Sequence, residues 1–152
     1  MALYRRILLA VDLTTDSELI GQHARAVAAA FDAQLFILSV IEPLPVVAPI
    51  PPEPVEPGLV TAMSEMITGA QERIGRLART LGVPENRASV VMGSIKEEIL
   101  RAASTHGVDL VVIGNHEHHG LALFTKPTED VVVQKARCDV LAVHLTESAD
   151  RR

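Results

Sequence analysis

Five short, uninterrupted apolar runs punctuate the chain at 6–12, 34–40, 88–92, 109–114 and 139–143. Runs that are continuous rather than alternating belong to strands buried on both faces, as in a parallel sheet. Helical periodicity separates them. Ile20, Ala24, Val27 and Phe31 fall on one helical face, and Met63, Ile67, Ala70, Ile74, Leu77 and Leu81 fall on another. Thr15–Glu18 and Ser94–Glu97 each read as a capping box that opens a helix. Gly82 with Pro84, and Gly107, read as stops. A fourth helix is expected to start near Pro127, because proline suits the first helical position and Glu129 and Asp130 suit the dipole there. The predicted order is β-α-β-α-β-α-β-α-β. Parallel strands joined by right-handed crossovers make an α/β fold, one open doubly wound sheet with helices on both faces.

One segment breaks this rhythm. Seven of the nine prolines lie between Pro43 and Pro57. Proline lacks an N–H and fixes φ, so 43–57 is expected to be an exposed, partly extended loop. It contains Pro-x-x-Pro spacings at Pro49/Pro52, Pro51/Pro54 and Pro54/Pro57. Three readings stand: a stiff connection between the second strand and second helix, a docking peptide for a partner, or a lid at the C-terminal edge of the sheet. The 152 residues suffice for one domain, 1–152, with a core of its own.

Composition narrows the classes of partner. Aromatics are 3%, there is no Trp, and the net charge is −5. Nucleic acid is therefore not an expected partner, since it needs clustered cations or stacking platforms. The single cysteine, Cys138, fits a reducing compartment and is read as a small buried residue. The apolar run from Ile7 to Val11 is ended by Asp12, too early for a signal core or a membrane span. A cytoplasmic protein away from the membrane is expected. No Gly-x-Ser-x-Gly, Walker loop or dinucleotide glycine fingerprint occurs, so no catalytic residue is assigned and no enzymatic step is expected, a weak nucleotide hydrolysis with Glu117 as base being the last-ranked alternative.

The pieces together resemble a known family. Residues 4–14 are similar to the opening strand of the universal stress proteins, and 93–103 to their third helix with the turn before it. Residues 109–114 and 138–143 are similar to their last two strands. The resemblance implies a Rossmann-like five-stranded sheet of order 3-2-1-4-5 and a stress-response protein that is usually a homodimer. One branch of the family binds ATP; another, typified by universal stress protein A, does not. The ATP branch carries Gly-x-x-Gly, nine residues, then Gly-Ser or Gly-Thr after the fourth strand. Here Gly114 fills the first glycine position, Glu117 the second and Pro127 the third, with Thr128 at the hydroxyl. The glycines let a backbone approach phosphates and offer it N–H groups; Pro127 has none to offer, and Glu117 adds negative charge. The chain is thus expected to be of the universal stress protein A type, with no cofactor held tightly.

The resemblance also outlines what a nucleotide would meet if ATP did bind: Ala10, Asp12, Val40, Ile113, Gly114 and Thr128, around the C-terminal ends of strands 1 and 4. Asp12 has a second reading as the cap of the next helix, and Val40 as plain core. No resident metal is expected. His116, His118 and His119, beside Glu117, are the candidate ligands, with a solvated polar loop or a pH-sensitive contact as the other readings. The strand at 139–145 is expected at the sheet edge, where Val140, Leu141, Val143 and Leu145 would pair with a second copy.

Overall fold

The computed structural model describes residues 2–43, 54, 57–116, 132 and 134–145. Its strands are β1 (Arg6–Val11), β2 (Gln34–Ile41), β3 (Ala88–Met92), β4 (Leu110–His116) and β5 (Asp139–Leu145). Its helices are α1 (Ser17–Phe31), α2 (Pro57–Leu81) and α3 (Ile95–Thr105), with a short 3-10 turn at Glu85–Arg87 that the apolar pattern does not announce. The strands form one sheet of order β3-β2-β1-β4-β5. Every pairing is parallel. All five apolar runs are therefore strands, in the expected order. Val132, Gln134 and Lys135 are helical, and the Ala136 N–H donates to Val132 O at 2.8 Å, downstream of the expected start of the fourth helix. Its start at Pro127 and most of the proline segment lie outside the described residues.

Strand parity sorts the core into two layers. Ile7, Leu9 and Val11 of β1 pack with α1 and α2 on one face. Leu8, Leu38, Val111 and Ile113 pack with Ile99 and Ala103 of α3 and with Val132 on the other. Both faces of β1 and β4 are dry, which is why these strands read as continuous apolar runs rather than alternating ones. In α1 the buried stripe is Ser17, Ile20, Gly21, Ala24 and Ala28. Phe31 lies at its edge, against Tyr4 in an edge-to-face contact 5.0 Å between centroids.

The N-terminal rim of the sheet is tied by two aspartates. Asp109 Oδ2 accepts the backbone N–H groups of Arg5 at 2.6 Å and Arg6 at 2.9 Å. Its own N–H donates to Arg6 O at 2.8 Å. Asp139 Oδ2 accepts the Tyr4 hydroxyl at 2.8 Å, and its N–H donates to Asp109 O at 3.1 Å. The rim is thus a fixed platform.

Some element ends and caps differ from the sequence expectation. β4 does not end at Gly114 but pairs with β5 through Asn115↔His144 and His116↔Leu145. His116 is therefore a strand residue and not part of a loop. α1 begins at Ser17 with Asp16 in the N-cap position, one residue beyond the expected Thr15, and the Asp16 carboxylate makes no capping bond. Ser94 does occupy the N-cap of α3, but its hydroxyl makes no capping bond either. Glu42, arriving from the end of β2, accepts the Ile95 N–H instead at 3.4 Å. A carboxylate at a helix N-terminus also favours the helix dipole, so a residue distant in sequence takes over what a local box would have done.

Candidate functional site

The chain reverses its direction of travel across the sheet between β1 and β4. β1, β2 and β3 extend one way and β4 and β5 the other. Ligands of open α/β sheets lie beyond the strand ends at such a reversal. The β1–β4 ladder runs only from Ile7↔Leu110 to Leu9↔Val112. The β1–β2 ladder continues to Val11↔Ser39 and the β4–β5 ladder to His116↔Leu145. Beyond Leu9 and Val112 the two central strands no longer pair, and a crevice opens between them. Ala10, Val40 and Ile113 all face the α3 layer around this opening: Ile113 is buried, and Ala10 and Val40 are half-buried against the same cluster. The candidate residues of β1, β2 and β4 therefore share one face.

Asp12 follows directly on β1 and closes a tight turn. Its Oδ1 accepts the Thr14 N–H at 3.1 Å, the Thr14 hydroxyl at 2.7 Å and the Ser17 hydroxyl at 3.5 Å. An aspartate bonding the backbone two residues on makes an Asx-type turn. Between them Leu13 sits at φ 62°, a left-handed conformation rare for a branched side chain. Its side chain packs against the first core layer, which holds it there. Ser17 is 4% exposed, so its hydroxyl is a buried group satisfied from Asp12. The described bonds of Asp12 close this turn. Asp12 caps the turn rather than the helix, since the Ser17 N–H donates to Thr14 O. The Asp12, Thr14, Ser17 spacing carries that signal in the sequence, but as a turn motif it is easily passed over.

Gly114 has a packing reason to be glycine. A Cβ there would stand 2.6 Å from Ile20 Cδ1 of α1 and 3.0 Å from Leu145 Cδ1 of β5. It is not among the positive-φ glycines. The residue is small because α1 and β5 close on β4 at this point. The site reading drawn from sequence overlooked Ile20 and Leu145, which set this constraint from elements 94 residues upstream and 31 downstream in the numbering. Thr128, His118, His119, Glu117 and Pro127 lie outside the described residues, as does the side chain of His116. Among the described residues, no group of three His, Cys, Asp or Glu side chains is placed to hold a metal ion. No helix among them is long and apolar enough to cross a membrane. Cys138 is half-buried, and burial, followed by the charges of Asp139 and Asp109, pushes its thiol pKa up. A nucleophilic cysteine needs the opposite shift.

The fold is a five-stranded, doubly wound parallel α/β sheet, and comparison with known proteins gives it a family. The profile of the universal stress protein family matches residues 3–144. This chain belongs to the universal stress protein family. It is 33% identical over 144 residues to universal stress protein A homolog 1 of Coxiella burnetii, covering 95% of this chain and 99% of that protein. Among solved structures, the universal stress protein UspA of Lactobacillus plantarum matches 92% of this chain and 97% of that chain with a TM-score of 0.69 at 22% identity. A universal stress protein in complex with cAMP matches 93% and 97% with a TM-score of 0.60 at 20% identity.

Gly114→Ala tests the packing account. The Ile20 contact is with a terminal methyl that can swing aside, so the expected loss is at the low end for overpacking, about 1 kcal/mol. That lowers the melting temperature by about 2–4 °C for a chain of this size. A paired Ile20→Val change, which shortens the clashing side chain, should recover part of that loss in the double variant. Full additivity of the two losses would contradict the account.

Proposed function

We propose that this chain is a cytoplasmic stress protein of the universal stress protein A type, a homodimer that acts through contacts rather than through a chemical step and holds no ATP tightly. The observation that carries this reading is the use made of Gly114. In the ATP branch the first glycine lets backbone approach phosphate, whereas here it accommodates Ile20 and Leu145. The ladder beyond it commits Asn115 and His116 to pairing with β5. The sequence supplies Glu117 and Pro127 where the motif has its other glycines. A carboxylate and an imino acid at those positions replace backbone donors with a negative charge and a missing N–H.

One observation favours a second reading, an adenine-nucleotide sensor. Ala10, Val40 and Ile113 share a face at the β1–β4 opening, with the Asp12 carboxylate at its rim. One structural relative is a universal stress protein in complex with cAMP. A nucleotide with a single phosphate asks less of the missing glycine donors than a triphosphate does.

Calorimetric titration with Mg-ATP, together with analysis of small molecules released on denaturation, separates the two readings. The leading one predicts no stoichiometric nucleotide in the purified protein and no heat or melting shift at millimolar Mg-ATP. Stoichiometric ATP would overturn it, and saturable cAMP or AMP binding without ATP binding would select the sensor.

The dimer is proposed through β5, which pairs only with β4 and leaves its outer edge open among the described residues. Val143 and Leu145 turn inward to the first core layer, so the apolar share of that edge falls to the half-buried Val140 and Leu141. An open edge bonds readily to its own symmetry mate. Sedimentation equilibrium at micromolar concentration should give twice the 16.4 kDa chain mass, and a monomer would sink the dimer.

A further inference from the structure

The sequence has four methionines, and all three beyond Met1 line one pocket. Met63 and Met66 stand three residues apart on α2 and so face the same way. Met92 is the last residue of β3, and Glu42 lies beside the pocket just after β2. The cavity holds about 70 Å³, and apart from Glu42 its walls are methionine, aliphatic or proline. That volume is enough for several waters, or for an ion with part of its hydration.

Methionine usually appears in such a place as an adaptable filler of the core. These three do not fit that role. Met66 is 49% exposed and Met92 38% exposed, while Met63 is half-buried. A side chain exposed to that extent fills no gap, and the fully buried residues of α2 start only at Ala70. What the three share is the thioether. Soft sulfur donors select monovalent copper, whereas zinc takes thiolate, imidazole or carboxylate, and calcium or magnesium needs several oxygens. Among the described residues the pocket's lining has no histidine or cysteine, and the Oε1 of Glu42, the one carboxylate among them, already accepts the Ile95 N–H.

We propose that Met63, Met66 and Met92 form a thioether site for Cu(I), separate from the β1–β4 crevice. The test uses the full chain with Cys138→Ser, so that the thiol does not compete, in anaerobic buffer with bathocuproine disulfonate as the competing chelator. One Cu(I) per chain is expected. Met63→Leu, Met66→Leu and Met92→Leu keep the apolar volume. Each should weaken binding by at least about tenfold, the lower bound for removing even an outer partner of a metal ligand, and the triple variant should lose the site. Retention of one Cu(I) at unchanged affinity by the triple variant would assign the binding to the histidines and overturn the proposal. A second measurement needs no variant of the site. Ag(I) should shift the ε-methyl resonances of Met63, Met66 and Met92 together while leaving Met1 in place, and three unmoved methyls would also overturn it.

Discussion

The β1–β4 ladder stops after Leu9↔Val112, while the ladders on either side of it run on. The place of the candidate crevice follows from that mismatch. Parallel strands with right-handed crossovers must place helices on both faces, and the reversal of winding has to fall between two central strands. Here it falls between β1 and β4, both dry on their two faces. Asp109 and Asp139 lock the sheet together at the N-terminal rim, so the strands separate only at the other end. The separation of the two strands at that end is a result of winding.

The same splay decides what the residues around the crevice do. β4 leans with β5, and their shared ladder continues to His116. That brings Leu145 and Ile20 against Gly114, and a glycine shaped like a phosphate position becomes a close-packing position. β1 ends instead in a turn in which Leu13 is left-handed and Asp12 collects the hydrogens of Thr14 and Ser17. In both places the residue type suits a nucleotide site, and the observed contacts are structural.

The fold was legible because a parallel sheet writes itself as uninterrupted apolar runs. All five runs are strands, and β3 has its predicted ends. The misread boundaries share a physical cause. Capping boxes are local patterns, and at α3 a carboxylate from β2 reaches the helix start first. At α1 the Asp12 turn sets the entry. β4 outran its apolar run because Asn115 and His116 are polar, and only the presence of β5 beside them shows that they are strand. The site was legible to the extent that Ala10, Val40 and Ile113 share a face by strand parity. The packing role of Gly114 was not, because it depends on side chains remote in sequence. Met63 was read as helix face and Met92 as strand end, and Met66 was not singled out, since periodicity cannot bring α2 and β3 to one pocket.

Amide hydrogen exchange across the end of β4 tests the central claim most directly, because the claim is that the ladder with β5 continues past Gly114. Ladder amides within residues 114–116 and 143–145 should exchange slowly, on the scale of those at Val111 and Val112. Exchange there at the rate of an open loop, beginning at Gly114, would contradict the account and return Gly114 to the phosphate loop.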